Sequence, residues 1–239
     1  MSLLRTYLML LVLLCHQATM FEPSRASPDE RERAARAGKT SPSLFERTLR
    51  PVVAGFRLFV GVVLSLETAA DYAAATPSGA LSKHIFALLP MSIPEPSTPP
   101  LFLIAVLAIA LGCILRVLSF HTMKALFTYE VSLSARHKLV TSGPYAVVRH
   151  PGYTALLLVQ VSLPLLCLAP GSGSWWWGAG VAHSRLGHAV VGTWAALLGH
   201  VALIVRRASA EDALLHGVFG REWEAYARSV RCRFIPGVL

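Results

Sequence analysis

Two short polar stretches hold the residues best suited to chemistry. The first runs from His137 to Tyr153 and reads HKLVTSGPYAVVRHPGY. Gly143-Pro144 marks a turn. Arg149-His150-Pro151 leads into an apolar run, and Pro151 suits the first position of a helix, where its missing N–H costs nothing. The N–H groups of Gly152, Tyr153 and Thr154 are then expected to be free, which makes a helix start ready to meet an anion. Arg149 and His150 would add donors beside it, and Tyr145 and Tyr153 aromatic faces. The second stretch begins at Arg207, with Glu211 four residues on and so on the same helix face. A guanidinium there suits an anionic group, and a carboxylate suits a hydroxyl or a cationic one. Two readings stay open on the residues alone. One is a basic membrane-surface loop beside an ordinary ion pair, worth under about 1 kcal/mol. The other is a site for a small ligand that carries a carboxylate or phosphate.

The elements that must position these stretches are apolar. Of the 239 residues 54% are hydrophobic and 15% charged, against about 25% charged in a soluble domain. This composition points to a membrane protein, so the net charge of +9 is read as loops facing anionic lipid and not as a nucleic-acid surface. Five apolar runs are candidate spans: 3–20, 51–75, 101–120, 154–169 and 189–205. The third is the clearest, since about 20 residues at 1.5 Å each match a hydrocarbon core of roughly 30 Å. Pro51 is expected in the first turn of the second. Arg57 interrupts that run and is expected to snorkel, while Glu67 and Asp71 share one face near its end. Arg116, near the end of the third, is expected to reach headgroups. Trp175-Trp176-Trp177 reads as an interfacial belt. The four cysteines form no CxxC pair and fit no zinc spacing, so no metal is expected.

Charge fixes the expected topology. Seventeen Lys and Arg fall in three alternate segments, with seven between Phe21 and Arg50, four between His121 and Tyr153 and six from Arg206 onward. The intervening segments hold only Arg5, Lys83 and Arg185. By the positive-inside rule the seventeen face the cytosol. The first run is then retained as a helix, with a lumenal N-terminus and a cytosolic C-terminus. The expected fold is all-α: a polytopic integral membrane helical bundle of about five transmembrane helices. Residues 1–120 would be membrane helices and loops. Residues 121–239 would form a second region in which the loop before the fourth helix and the C-terminal helical tail make a cytosolic site.

These residues resemble the isoprenylcysteine carboxyl methyltransferase family, which also includes related phospholipid methyltransferases. The resemblance rests on HKLVTSGPYAVVRHPGY at 137–153 and RASAEDALLHGVFGREWEAYARSVRCRFIP at 207–236. LVTSGPY, RHPxY and an acidic pair followed by FGxxWxxY are specific in combination and weak singly. With the hairpin between them they cover about the last hundred residues. The resemblance implies an endoplasmic reticulum membrane enzyme that uses S-adenosyl-L-methionine. Its substrate would be the prenylated C-terminal cysteine of a protein, methylated on the α-carboxylate, with membrane lipid as the other partner and neither nucleic acid nor metal. Carried over by position, the cofactor residues would be His137, Lys138, Leu139, Val140, Tyr145, His150, Pro151, Gly152, Tyr153 and Glu211, with Glu130 as a looser match. Arg207 would hold substrate and act in catalysis. Asp212 departs from the family, where a second Glu is usual, and the 170–188 linker is long and rich in Gly and Trp. A phospholipid N-methyltransferase and a non-enzymatic membrane scaffold are the rival readings.

Overall fold

The structure is a computed structural model that describes residues 3–20, 28–29, 44–88, 97–126, 138–169, 171–174, 176 and 183–237. Among them every regular element is helical. The helices are α1 (Leu4–Thr19), α2 (Leu44–Ala75), α3 (Ala80–Leu88), α4 (Pro100–Met123), α5 (Pro151–Leu168), α6 (Arg185–Phe219) and α7 (Arg221–Ser229). Short 3-10 turns occupy Lys124–Leu126 and Gly143–Ala146.

Among the described residues three segments are long and apolar enough to cross a membrane: Pro51–Ala75, Pro100–Met123 and Pro151–Leu168. The all-α membrane-helix reading holds, though three of the described helical segments have the length and apolar character of a span where the sequence suggested five. The first run forms α1, whose 16 residues reach only about 24 Å at 1.5 Å per residue. The last run lies inside α6, where Gly187, His188, Gly192, Thr193 and His200 dilute the apolar character. Pro51 sits inside α2, which begins at Leu44, and not in a first turn. Pro164 lies inside α5. A membrane bundle tolerates both, because neighbouring groups re-satisfy the carbonyl a proline leaves free.

Side-chain exposure is what lipid would require. Along α4, Ile104, Leu107, Leu111, Ile114 and Leu118 form an outward stripe, each between 49% and 69% exposed. Their spacing of three and four residues is one helix face. The opposite face, Phe102, Ala105, Val106, Ile109, Arg116 and Ser119, is buried. On α2, Leu58, Val62 and Leu66 likewise face outward. Arg57 is exposed and bonds the Gln17 side chain. A soluble protein would not present such aliphatic stripes to water.

The chain divides into two compact units. The first comprises residues 1–18, 56–113 and 157–200. Its core includes Phe56 and Phe59 edge-on to Trp194, and His16 edge-on to Phe56. Trp176 is buried here, while Trp175 and Trp177 lie outside the described residues. Glu67 and Asp71 meet Arg5: its Nε donates to both Asp71 oxygens at 2.9 Å and its Nη2 to Glu67 at 3.3 Å. Nη1 donates to the carbonyls of Ser97 and Ser172, and the guanidinium lies 4.2 Å from the centre of the Phe102 ring. All three charged residues are buried, so their mutual pairing is what makes them tolerable in an apolar interior. The second unit comprises residues 19–55, 114–156 and 201–239, and both polar stretches belong to it.

Candidate functional site

The loop that enters α5 is built from local rules. Gly143 opens its 3-10 turn with φ +60, a conformation that favours glycine, and a Cβ there would come within 3.1 Å of Thr122 Oγ1. The Val147 and Val148 amides close the turn onto the Pro144 carbonyl. This buries Tyr145 and Val148. The chain then extends and pairs with the tail: Arg149 N–H donates to Cys232 O at 3.0 Å and His150 N–H to Arg233 O at 2.9 Å. Thr154 Oγ1 donates to Phe234 O at 2.7 Å. With the longer bond from Arg149 Nη2 to Arg231 O at 3.4 Å, these hydrogen bonds clip the tail to the entrance of α5.

α5 begins at Pro151, but its first turn is less open than expected. The Tyr153 and Thr154 amides both donate to the His150 carbonyl, at 3.0 and 3.1 Å. Of the three amides read as free from the sequence, Gly152 alone keeps no partner among the described residues. His150 acts as the cap, and a capping carbonyl accepts the first bonds of its helix.

α6 supplies the other half. Arg207 Nε donates to Tyr153 Oη at 2.7 Å and to Glu211 Oε1 at 3.0 Å. The Tyr153 hydroxyl donates in turn to Glu211 Oε1 at 2.5 Å. The Tyr153 and His150 rings stack, with centroids 5.6 Å apart. His150 Nε2 lies 3.0 Å from Asp212 Oδ1, and its Nδ1 lies 3.7 Å from Glu211 Oε2. The other Asp212 oxygen faces Arg149 Nη1 at 3.4 Å and Arg233 Nε at 3.3 Å. Glu211 and Asp212 are neighbours in sequence, yet a helix turns them about 100° apart. One carboxylate therefore serves Tyr153 and Arg207, and the other serves His150 and the tail.

The electrostatics follow from these contacts. Burial pushes the Asp212 carboxyl up, but the His150 hydrogen bond and the charges of Arg149 and Arg233 overcome it and hold the group below its ordinary range. Burial also works against the Arg207 charge, while Tyr153 and Glu211 more than restore it and leave the guanidinium above its ordinary value. Burial raises the Tyr145 phenol as well and pushes that of Tyr226 up to about 12. Tyr226 stays protonated and donates to the Tyr145 carbonyl at 2.8 Å. Gly220, at φ +51, separates α6 from α7. Trp223 of α7 sits 5.7 Å from the Arg149 guanidinium.

Of the residues read from the sequence, the fold brings Arg207, Glu211, His150 and Tyr153 into one cluster, with Pro151 and Gly152 buried in the turn beneath it. Tyr145 lies in the same unit under Tyr226. Lys138 is exposed, and Leu139 and Val140 are half-buried; none is hydrogen-bonded to the cluster. His137 and Glu130 lie outside the described residues. Sequence reasoning missed the roles of Asp212, Arg149, Arg233 and Thr154 in fixing the tail, although the adjacent acids at 211–212 were a usable signal. It also misplaced Arg116. That residue is 2% exposed and turned inward, with Nη1 on the Gly152 carbonyl at 3.0 Å and Nε on Thr19 O at 3.3 Å. Among the described residues no group of three or more His, Cys, Asp or Glu could hold a metal.

Comparison with known proteins converges on one family. The model of the isoprenylcysteine carboxyl methyltransferase family matches residues 103–172, which include nearly all of α4, the loop and the whole of α5. Two curated relatives are each 27% identical to the chain over 129 residues. They are named probable protein-S-isoprenylcysteine O-methyltransferase, from Oryza sativa subsp. indica and subsp. japonica. The match spans 53% of this chain and 57% of each relative, little more than half the length of either. No solved structure matches significantly. Family model and relatives agree with each other, and over these residues the chain is similar to the isoprenylcysteine carboxyl methyltransferase family.

Proposed function

We propose that this chain methylates the C-terminal α-carboxylate of a prenylated protein cysteine, with S-adenosyl-L-methionine as donor, at the cytosolic face of the endoplasmic reticulum membrane. The observation that carries the proposal is the Arg207–Tyr153–Glu211 triad, in which a buried guanidinium and a half-buried carboxylate share one phenol. The names of the relatives and the distribution of Lys and Arg support it.

The residues present fit such a donor. Its ammonium and hydroxyl groups need an acceptor, and Glu211 offers Oε2, which lies 3.7 Å from His150 Nδ1. Its carboxylate needs a donor, and Gly152 N–H is one. Gly152 and Glu211 would hold it, with His150 and Tyr153 as the stacked wall and Tyr145 and 138–140 as the loop edge. When bound, S-adenosyl-L-methionine supplies an electrophilic methyl group on a sulfonium. Arg207 orients the acceptor carboxylate, whose ordinary pKa of about 3.3–3.7 leaves it ionised near neutrality. The transfer therefore needs no general base. Its work is alignment and exclusion of water, and held reactants can gain about 7–11 kcal/mol in favourable systems. The prenyl chain, itself lipid-like, enters from the membrane.

The test is methyl transfer from labelled donor by the full chain in detergent, with farnesyl-cysteine, geranylgeranyl-cysteine and phosphatidylethanolamine compared in parallel. Base-labile label on a prenylcysteine is expected. Label on phosphatidylethanolamine alone would make this a phospholipid N-methyltransferase, and label on none would favour a scaffold.

A further inference from the structure

α4 is apolar along nearly its whole length, yet three residues near its C-terminal end are polar at spacings of three: Arg116, Ser119 and Thr122. That spacing puts them on one face. Each meets a different part of the loop that carries the proposed donor site. Thr122 lies under Gly143, so close that a Cβ would crowd its Oγ1 at 3.1 Å. The Ser119 hydroxyl meets the Tyr145 phenol. Arg116 donates to the Gly152 carbonyl at 3.0 Å, inside the first turn of α5. The Arg116 guanidinium also lies over the Phe120 ring at 4.8 Å and bonds Thr19 O, the last carbonyl of α1.

We propose that Arg116 is a positioning residue for the donor site, with Ser119 and Thr122 completing a polar stripe on which the Gly143–Tyr153 segment is seated. The inference rests on the methyltransferase reading above. The carbonyl Arg116 holds belongs to the peptide that joins Gly152 to Tyr153. That peptide lies between the Gly152 N–H and the Tyr153 side chain, so shifting it disturbs both, and with the ring go the hydroxyl contacts to Arg207 and Glu211. A buried guanidinium has reason to sit in an apolar helix when two carbonyls and an aromatic face compensate it, and all three are present. Arg116 bonds the Gly152 carbonyl directly and reaches Arg207 only by way of Tyr153, so its effect falls more strongly on donor binding than on the prenyl substrate.

The experiment compares the wild-type full chain with Arg116→Met and Arg116→Lys in detergent. It measures the dissociation constant of S-adenosylhomocysteine by calorimetry, the KM for farnesyl-cysteine, and amide hydrogen exchange across residues 138–168. Arg116→Met should weaken S-adenosylhomocysteine by about tenfold or more, the scale of one lost charged hydrogen bond, and move the farnesyl-cysteine KM less than about twofold. Arg116→Lys, which retains one donor toward Gly152 O, should fall between the two. Exchange should quicken at 145–154 and stay unchanged at 160–168. Wild-type affinity in Arg116→Met overturns the proposal, and so does an equal rise in both constants, the mark of general loosening. If Arg116→Met fails to fold, Arg116→Lys decides on the same readouts. A wild-type chain that binds no S-adenosylhomocysteine sinks the methyltransferase reading instead, and hydrogen exchange alone then judges Arg116: no quickening at 145–154 in either variant overturns its positioning role.

Discussion

Arg207 and Tyr153 stand 54 residues apart in sequence, and the guanidinium Nε donates to the phenol oxygen at 2.7 Å. The residue read as the substrate's anchor is therefore bonded to a residue read as the donor's wall, with Glu211 Oε1 accepting from both. The sequence suggested two separable roles, and the geometry couples them.

Arg207→Ala should consequently cut turnover by about 10²-fold or more, the scale of a misplaced reactant, and also weaken S-adenosylhomocysteine. Arg207→Lys should recover little turnover, because an ammonium cannot hold two oxygens with a planar fork. Steady-state kinetics and calorimetry on the same preparations check this. Donor affinity untouched in Arg207→Ala would uncouple the two roles.

Asp212→Asn keeps the shape of the side chain and removes the charge that faces His150, Arg149 and Arg233. The folded carboxyl lies below its ordinary value of 3.8. Its charge thus stabilises the fold at every pH above that value, and the contribution is lost as pH falls through the lowered pKa. A thermal-shift series in detergent should show the variant melting several degrees below wild type from pH 7 down to about pH 4, with the gap narrowing only below that. A gap that closes between pH 7 and 5 contradicts the assignment.

Tyr226→Phe deletes the hydroxyl that satisfies the Tyr145 carbonyl. A buried acceptor left alone costs about 1–3 kcal/mol. The expected result is a lower melting temperature together with faster exchange near 144–148, read by mass spectrometry. An unchanged melting temperature would mean that water replaces the hydroxyl without penalty.

Arg5→Met strands Glu67 and Asp71 in the buried core of the first unit. Breaking a buried pair by removing one partner costs about 3–5 kcal/mol. Adding Glu67→Gln and Asp71→Asn should return most of the loss, because the uncompensated charge goes with them. Folded yield and melting temperature in detergent report both steps. A triple variant no better than Arg5→Met would assign the effect to packing against Phe102.

The sequence by itself determined the helices, their apolar faces and the motif residues. These are local properties: α4 follows from an unbroken aliphatic run after Pro99-Pro100, and Arg207 meets Glu211 because they stand four apart on one helix. Tertiary structure decided which way the polar residues turn and whom they meet. A lone arginine in an apolar helix reads the same whether it snorkels, as expected of Arg116, or reaches inward to the Gly152 carbonyl. Asp212 looked like a substitution beside Glu211, yet it gathers His150, Arg149 and Arg233 from distant segments. The Tyr153 and Thr154 amides looked open, yet the extended approach of Arg149 and His150 to the tail turns the His150 carbonyl back onto them. Each outcome depends on partners from 3 to 97 positions away, and no local pattern of residue types encodes which of them a buried group will find.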